Sequence, residues 1–355
     1  MPTTALNKNL HKAKNNKKDE FYTQLVDIEN ELKHYKNHFK NKVVYCNCDD
    51  PRMSNFFHYF SYNFEDLGLK KLITTCYQNQ HRDLFSQHNS ERAIYLEYYG
   101  DLNKNKVPDI GEIGIQTLKG DGDFRSAESI ALLQQADIVV TNPPFSLFRE
   151  YVAQLIEQNK KFVIIGAFNA ITYKEIFPLI KANKMWLGYG FKAGNAFFKT
   201  PYFKEFAKGV YDEKTGLVKF RNVTWYTNLD IAKRHEDLIL YKAYTPEDYP
   251  KYDNYDAINV DKTKEIPMDY KGAMGVPITF LDKYNPEQFE IIGQGQGNLY
   301  RKLTPNGLRK KFVNDYYKQG GKGLIKENHP VLGYYDIKGK AIIPYMRIII
   351  KNKRL

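Results

Sequence analysis

The chain has 355 residues, of which 42% are hydrophobic and 15% aromatic, and its formal net charge is +12. This length accommodates one large domain or two smaller ones. The positive charge favours a polyanionic partner, most often nucleic acid, over the alternative of an evenly solvated surface. No apolar run is long enough to span a membrane, and the N-terminal segment lacks the apolar region of a secretory signal.

Three cysteines, Cys46, Cys48 and Cys76, are too few for a disulfide framework, and no histidine pair stands near them at zinc-ligand spacing. We therefore predict reduced thiols, no metal site and a cytoplasmic location. Residues 1–18 contain five lysines and no acid, which predicts a basic mobile arm.

From about residue 40 to residue 190, strand-like and helix-like stretches alternate. Strands are predicted at KVVYCNC, LKKLITTCY, AIYLEYYG, GIQTLKG, DIVV and KFVIIGAF. Helices are predicted at SNFFHYFSYNF, SAESIALLQQA, SLFREYVAQLIEQ and TYKEIFPLIKAN, the first two with Ser54 and Ser126 as N-caps. This alternation predicts an α/β core with a mostly parallel sheet covered on both faces. Ligands of such sheets bind beyond the carboxyl ends of the strands.

Beyond about residue 190 the alternation is lost, and Tyr, Asp, Pro, Gly and Lys become more frequent. Strands are predicted at NVTWYTNL and DLILYKAY. Residues 244–270 are predicted to form a long ordered loop region, because their aromatic side chains require burial.

The stretch ADIVVTNPPF places Asn142, Pro143, Pro144 and Phe145 directly after an apolar strand. An amino group conjugated to a ring or carbonyl is a poor nucleophile, because its lone pair is delocalised. A side-chain amide oxygen and a backbone carbonyl that accept its two N–H groups would localise that lone pair. Prolines fix the backbone around them, and an aromatic ring offers a stacking face. The motif therefore predicts a preorganised site for methylating such an amine. The alternative is a rigid strand-to-helix turn with asparagine as a cap.

The stretch VVTNPPF resembles motif IV of the S-adenosylmethionine-dependent amino-methyltransferases. From about residue 19 to the C-terminus, the chain resembles the EcoRI-type adenine-specific DNA methyltransferases. The matching stretches are DEFYTQLVDIENEL, VVYCNCDDPRMSNFFHYF, GDGDFRS, ADIVVTNPPFSLFREY, AITYKEIFPLIKANKMWLGY, WYTNLDIAKRHEDLILY, YPKYDNYDAINVDKTKEIP and MGVPITFLDKYNPEQFEIIG.

The resemblance implies a Rossmann-like methyltransferase core over residues 19–190. Residues 191–355 would complete the core sheet and form a target-recognition region. It also implies methyl transfer from S-adenosylmethionine to adenine N6 in double-stranded DNA after base flipping. We expect a monomer, without a metal ion, that belongs to a restriction-modification, phage or orphan modification system. In a restriction-modification system, a cognate restriction endonuclease would act on the same site.

By this resemblance, Asn142 and the Pro143 carbonyl hold the target amine, Pro144 stiffens the turn, and Phe145 stacks on the flipped base. The residues implied at the cofactor are Phe21, Tyr22 and Thr23 at its methionine end, Asp49 and Asp50 in the first loop, and Asp123 and Phe124 at its adenine. Phe197 or Phe198 would face the target base, with burial in the core as the alternative.

At two positions the chain departs from the family pattern, so the resemblance does not decide which residues bind the cofactor there. The first loop reads Cys-Asn-Cys-Asp-Asp-Pro rather than glycine-rich, and the second strand lacks the acid that usually binds ribose hydroxyls. Thr74, Thr75 and Glu97 are the alternatives for that role.

Two basic clusters in the C-terminal region are predicted to contact DNA phosphates, which position a duplex without reading its sequence. The clusters contain Arg301, Lys302, Arg309, Lys310 and Lys311, and then Lys338, Lys340, Arg347, Lys351, Lys353 and Arg354. Three other functions stay open: a protein-glutamine methyltransferase, an RNA adenine methyltransferase, and a catalytically silent DNA-binding protein. The basic C-terminal region argues against the first, and the intact Asn-Pro-Pro-Phe motif argues against the last.

Overall fold

The computed structural model divides the chain into two compact units. Unit 1 combines the residues up to Ile171 with Met185–Leu229, and unit 2 combines Thr172–Lys184 with Asp230–Leu355. The chain therefore passes between the units at three points, whereas the sequence pattern predicts one boundary between core and C-terminal region, after residue 190. The structure describes residues 21–48, 54–75, 93–105, 108–109, 111–199, 209–296, 307–325 and 331–355.

The helices and strands are numbered here in chain order. The strands of unit 1 are β1 (Tyr22–Thr23), β2 (Val43–Cys46), β3 (Lys71–Thr75), β4 (Ile94–Tyr98), β5 (Ile113–Thr117), β6 (Ile138–Thr141), β7 (Lys161–Ala167), β8 (Trp186–Leu187), β9 (Asn195–Lys199), β10 (Tyr211–Asp212), β11 (Leu217–Arg221) and β12 (Val223–Thr227). Those of unit 2 are β13 (Ala257–Asn259), β14 (Ala273–Pro277), β15 (Phe289–Gln294), β16 (Tyr334–Tyr335), β17 (Ala341–Ile342) and β18 (Arg347–Asn352). The α-helices are α1 (Leu25–Leu32), α2 (Lys36–Phe39), α3 (Asn55–Tyr62), α4 (Phe64–Leu67), α5 (Ala127–Gln135), α6 (Phe148–Glu157), α7 (Phe177–Lys181) and α8 (Lys310–Lys318).

The main sheet of unit 1 has eight strands in the order β5-β4-β3-β2-β6-β7-β12-β8. Its four central strands, β3, β2, β6 and β7, are parallel to one another. The outer strands pair antiparallel. The predicted α/β class is confirmed, but the sheet is mixed, so a mostly parallel sheet is not confirmed. The reason is local: antiparallel neighbours such as β4 and β5 can follow a loop, whereas parallel neighbours need a long crossover.

Local sequence signals account for the core helices and strands of unit 1. Ser54 and Ser126 cap α3 and α5 as predicted, since their hydroxyls accept hydrogen bonds from the backbone N–H groups of Phe56 and Ser129 at 3.2 Å each. Every residue of β2 and β6 is buried, as expected for strands covered on both faces. In unit 2, the helix predicted at TYKEIFPLIKAN is shorter than expected, because Pro178 favours the first turn of α7.

A second sheet in unit 1 is antiparallel, with the order β1-β9-β11-β10. Thr23 of β1 pairs with Phe198 of β9, and Phe198 in turn pairs with Val218 of β11. The N-terminal strand is thus held by a segment far along the chain. A buried carboxylate reinforces this arrangement: Glu31 of α1 accepts hydrogen bonds from the Tyr189 and Gly190 backbone N–H groups, both at 2.9 Å.

Unit 2 contains a four-stranded sheet, β13-β14-β18-β15, and the hairpin β16-β17. Within the predicted loop region 244–270, Tyr249 and Tyr252 are buried, as its aromatic content required. The prediction of a strand at DLILYKAY is wrong. The carboxamide of Gln288 donates to the Leu238 carbonyl and accepts from the Leu238 N–H, both at 2.8 Å, so a side chain replaces the strand ladder there. Among the described residues, no helix is long and apolar enough to span a membrane.

Gly166 of β7 provides a test of the packing behind the Asn-Pro-Pro-Phe turn. A Cβ atom added at Gly166 would lie 2.4 Å from the ring of Phe148, the first residue of α6. We expect Gly166→Ala to lower the free energy of unfolding by about 1–3 kcal/mol, because this buried ring must move. Chemical denaturation of both proteins measures the difference. Gly114→Ala in β5 is the control, since its added Cβ would meet only ordinary contacts. Equal stability of the two variants would contradict the expectation.

Candidate active site

Polar residues gather at the carboxyl ends of the central parallel strands. Cys46 of β2 pairs with Thr74 of β3, and Tyr45 pairs with Val139 of β6, so these strands end at the same edge of the sheet. Buried polar side chains follow at that edge, among them Asn142 after β6. The ligand-binding edge expected for this kind of sheet is therefore present.

Asn142 is fixed by a hydrogen bond to a distant part of the chain. Its Nδ2 donates to the Phe21 carbonyl oxygen at 2.7 Å, across a sequence separation of 121 residues. A carbonyl oxygen only accepts, so this bond requires the nitrogen of the carboxamide to face Phe21. The Oδ1 atom therefore faces the other way, and it is buried without a partner among the described residues. A buried unpaired acceptor costs about 1–3 kcal/mol unless a ligand donates to it.

The prolines turn the chain from strand to helix. Pro143 is buried, and Pro144 has the extended φ and ψ values of −54° and 122°. The Leu147 N–H then donates to the Pro144 carbonyl at 2.9 Å, which closes a short 3₁₀ turn before α6. The turn predicted from the sequence is present, and it carries the asparagine and the aromatic on a rigid backbone.

Phe145 is partly exposed, and three aromatic rings surround it. Its ring lies nearly parallel to that of Phe21, with centroids 6.3 Å apart. Phe198 and Phe220 meet it edge-on at 6.4 and 6.1 Å. Such edge-to-face contacts hold the ring in one orientation. The sequence offered no signal for Phe220, because its place depends on the pairing of β11 with β9.

The two aromatic residues of β9 face opposite sides of their strand. Phe198 is fully buried in the aromatic cluster, as the core alternative predicted. Phe197 is 37% exposed, and the Nζ atom of Lys219 lies 5.6 Å from its ring centroid. The structure therefore separates the two candidates: Phe198 contacts Phe145, and Phe197 is the exposed one.

The Phe21-Tyr22-Thr23 segment joins this site through its backbone. Besides the Phe21 carbonyl, the Thr23 carbonyl accepts a hydrogen bond from Asn55 Nδ2 at 2.6 Å. Three threonine hydroxyls in unit 1, those of Thr23, Thr74 and Thr141, are buried without a partner among the described residues. Together with Asn142 Oδ1, they suit a ligand that carries several polar groups.

The alternatives for the ribose-binding residue differ in their partners. Thr75 shares a 2.9 Å hydrogen bond with the Tyr45 hydroxyl, and Glu97 forms a 2.5 Å ion pair with Lys71. Thr74, by contrast, keeps a buried hydroxyl with no partner in the described part of the chain.

Asp123 and Phe124 lie in the turn that precedes α5. Two hydrogen bonds from the guanidinium of Arg125, at 2.9 and 2.7 Å, hold the pKa of Asp123 below its ordinary value. Arg125 also pairs with Glu150 at 2.9 Å. Phe124 is buried, and its ring packs edge-on against Tyr151. Asp123 is therefore a carboxylate, and its loop is linked to α6.

One buried polar pair at this edge was not predicted from the sequence. The hydroxyl of Tyr151 donates to the Oδ1 atom of Asn47, the residue that follows β2. Burial raises the pKa of Tyr151 well above its ordinary value, so the hydroxyl stays protonated as a donor. The position of Asn47, directly after a buried strand, was the available signal.

The basic residues of unit 2 fall into two kinds. Lys310 and Lys311 are exposed at the start of α8. Arg309 instead pairs with Asp253, whose side chain is only 1% exposed. Arg347 is buried and donates to Asn259, and Arg354 makes two hydrogen bonds to Asp237 at 2.6 and 2.8 Å. Each of these three arginines therefore has a partner within unit 2, which the sequence clusters did not distinguish, and a phosphate contact of Arg309 stays a prediction.

Several predicted features lie outside the described residues: the basic arm 1–18, Asp49, Asp50, Cys76, Arg301 and Lys302. Among the described residues, no group of three or more His, Cys, Asp or Glu side chains is placed to hold a metal ion.

Comparison with known proteins decides the family. A family model described as adenine-specific methyltransferase EcoRI matches residues 9–353. The chain is 50% identical to the Type II methyltransferase M.EcoRI of Escherichia coli, over 100% of this chain and 99% of that protein. It belongs to the EcoRI family of adenine-specific methyltransferases. No solved structure matches it.

Two other relatives extend the EcoRI family. The chain is 40% identical to the Type II methyltransferase M.MpnI of Mycoplasma pneumoniae, over 97% of this chain and 98% of that protein. It is also 40% identical to M.MgeORF184P of Mycoplasma genitalium, over 79% and 84%. The resemblance drawn from the motifs is confirmed. This EcoRI-family protein is a site-specific DNA adenine methyltransferase that uses S-adenosylmethionine. Its relatives do not support a protein-glutamine or RNA substrate.

Asp27, in the first turn of α1, predicts a pH dependence of stability. Burial raises its pKa from 3.8 to about 6. The folded protein therefore holds this proton more tightly than the unfolded chain does, so this contribution to stability is fully present below pH 3.8 and is lost as pH rises through about 6. Because the side chain is partly exposed, we expect a loss of about 1 kcal/mol.

Asp27→Asn should remove this loss, and the comparison with wild type by thermal unfolding across that pH range measures it. Glu29→Gln, which removes an exposed carboxylate from the same helix, is the control. A difference between wild type and Asp27→Asn that does not vary with pH would contradict the assignment.

Proposed function

We propose that this methyltransferase flips its target adenine out of the duplex and holds the N6 amine between Asn142 Oδ1 and the Pro143 carbonyl. The buried Oδ1 atom without a partner among the described residues is the observation that carries the proposal. The amine of adenine has two N–H donors, and accepting both localises its nitrogen lone pair toward the methyl donor. The hydrogen bond from Nδ2 to Phe21 supports this role, because it keeps Oδ1 in the accepting orientation.

Phe145 is proposed to stack on the flipped base. Its ring is partly exposed, and Phe21, Phe198 and Phe220 support it. Stacking of a base on an aromatic ring is worth about 1–3 kcal/mol, which offsets part of the few kcal/mol required to unstack the base. Phe198, being fully buried, would act by supporting Phe145, whereas the exposed Phe197 is the one available to DNA.

The cofactor is proposed to lie at the carboxyl edge of a Rossmann-like sheet. When bound, S-adenosylmethionine supplies a methyl group on a positively charged sulfur, an electrophile that needs no metal ion. Thr74 is proposed to bind the ribose, because its buried hydroxyl has no partner among the described residues. Phe21, Tyr22 and Thr23 would contact the methionine end, and Asp123 with Phe124 the adenine end. Asp49 and Asp50 keep the role predicted from the sequence.

In the proposed reaction, this chain contributes positioning and electrostatics. Asn142 Oδ1 and the Pro143 carbonyl would hold the N6 amine toward the methyl group that S-adenosylmethionine would supply, and the proton of the methylated amine would pass to solvent. Neutral acceptors such as Asn142 Oδ1 stabilise the positive charge that develops on the nitrogen during attack. Holding both reactants in line provides most of the rate enhancement.

The biological setting is proposed from the same family. The protein would act as a monomer on double-stranded DNA in the cytoplasm, within a restriction-modification, phage or orphan modification system. A cognate restriction endonuclease with the same recognition site would accompany it in a restriction-modification system. Lys310 and Lys311 would contact phosphates, since both are exposed.

Two substitutions separate the chemical step from base flipping. Asn142→Ala removes an acceptor from the amine, so the single-turnover methylation rate should fall about 10²–10³-fold, with DNA and cofactor affinity nearly unchanged. Phe145→Ala removes the stacking surface, so a fluorescent adenine analogue at the target position should report less unstacking.

Asn55→Ala is the matched control, because Asn55 donates the same kind of amide hydrogen bond to the neighbouring Thr23 carbonyl. Asn55→Ala removes an anchoring hydrogen bond but no acceptor for the amine. It should therefore reduce the methylation rate far less than Asn142→Ala does. A wild-type rate for Asn142→Ala would indicate that the motif is only a rigid turn and would contradict the proposed mechanism.

The phosphate contacts predict a change in salt dependence. Each contact contributes about 0.9 to the slope of log affinity against log salt concentration. Lys310→Gln with Lys311→Gln should therefore lower that slope by about 1.8. Arg309 is left intact, because its substitution would leave the buried carboxylate of Asp253 without its ion-pair partner. The control is Lys264→Gln with Lys271→Gln, which changes two exposed lysines of unit 2 outside both basic clusters. An unchanged slope would show that Lys310 and Lys311 do not contact DNA phosphates.

A further inference from the structure

Helix α8 is fixed to unit 2 along one face. Phe312 is fully buried and packs edge-on against Tyr335 of the β16-β17 hairpin, with ring centroids 5.1 Å apart. The Tyr335 hydroxyl donates to Asp315 Oδ2 at 2.9 Å. Gln319, just after the helix, accepts from the Ala341 N–H at 2.8 Å. The inner face of α8 therefore has a defined position on the hairpin.

Both ends of α8 are also anchored. At its start, Arg309 pairs with the buried carboxylate of Asp253, through its guanidinium and, at 3.3 Å, through its backbone N–H. At its end, the hydroxyls of Tyr316 and Tyr317 donate to the carbonyls of Lys322 and Gly323 at 2.9 and 3.1 Å. A helix held at its face and both ends presents its outer side chains in fixed positions, as precise recognition requires.

The outer face of α8 combines positive charge with one amide. Lys310, Lys311, Asn314 and Lys318 are all exposed, and the single acid of the helix, Asp315, is turned inward to Tyr335. Asn314 lies one helical turn from both Lys310 and Lys318, at the centre of this face. Asparagine is a poorer helix former than alanine, and its carboxamide makes no hydrogen bond with the described residues. The fold itself thus gives Asn314 no evident use.

We propose that α8 is the base-reading helix of this methyltransferase, and that the Asn314 carboxamide reads an adenine of the recognition sequence. An α-helix fits the major groove, where a carboxamide can donate to adenine N7 and accept from its N6 amine. The flanking lysines match the phosphates on either side of the groove. This inference rests on DNA as the substrate and uses none of the roles proposed for Asn142 or Phe145.

The test compares the methylated sequences that wild type and variants select. DNA of random sequence is incubated with each protein and cofactor, and the modified adenines are located by sequencing. For Asn314→Ala we expect one A·T position of the wild-type motif, other than the target, to tolerate other bases. On the wild-type site, kcat/KM should fall about 5- to 150-fold. Asn314→Asp should shift the preference at that position toward cytosine, whose amine a carboxylate accepts.

Asn30→Ala is the matched control, because it makes the same change on an exposed face of α1 in unit 1 and should leave the motif unchanged. Thermal unfolding confirms that Asn314→Ala is folded. Wild-type selectivity at every position in both Asn314 variants would overturn the proposal, as would a uniform loss of methylation across all sequences. Failure of the enzymatic activity itself would look different, since wild type and Asn30→Ala would then not methylate DNA either.

Discussion

The hydrogen bond from Asn142 Nδ2 to the Phe21 carbonyl is the constraint on which the proposed catalytic site depends. It joins two motifs that lie 121 residues apart in sequence. It also decides which end of the carboxamide is available, because a carbonyl can accept only from the nitrogen. The oxygen is left buried without a partner among the described residues. A single backbone contact therefore gives the Asn142 carboxamide one orientation, at an energetic cost that the proposed bond from the substrate amine would offset.

Packing in the rest of unit 1 keeps both partners of that bond in place. The Phe21 side is held by the pairing of β1 with β9 and by the hydrogen bond from Asn55 to Thr23. The Asn142 side is held by β6 between its parallel neighbours and by Phe148, whose ring fills the space above Gly166. Displacement of either side would break this hydrogen bond and release the carboxamide from its fixed orientation.

Local sequence signals predicted much of this fold, and tertiary contacts account for the rest. Apolar runs located the central strands, prolines located the Asn-Pro-Pro-Phe turn, and serine caps located the starts of α3 and α5. They failed at DLILYKAY, where the Gln288 side chain takes the hydrogen bonds of a missing strand. They also left Thr74 and Thr75 equivalent, and only the Tyr45 hydroxyl separates them. Likewise, Arg309 and Lys310 look alike in sequence, but only Arg309 has a buried carboxylate beside it. Each of these outcomes depends on a residue distant in the chain, which no local pattern contains.

We propose that the two units bind their ligands through different kinds of interaction. Unit 1 offers buried, uncharged oxygens such as those of Asn142 and Thr74, whose interactions are strong because water is excluded and which dissolved salt screens little. Unit 2 offers exposed lysines around α8, whose attraction to phosphates is long-ranged and weakens steeply with salt. Its arginines 309, 347 and 354 each form an ion pair with an aspartate of unit 2. Salt should consequently act on the encounter with DNA and leave the methyl-transfer step, once the base is bound, nearly unchanged.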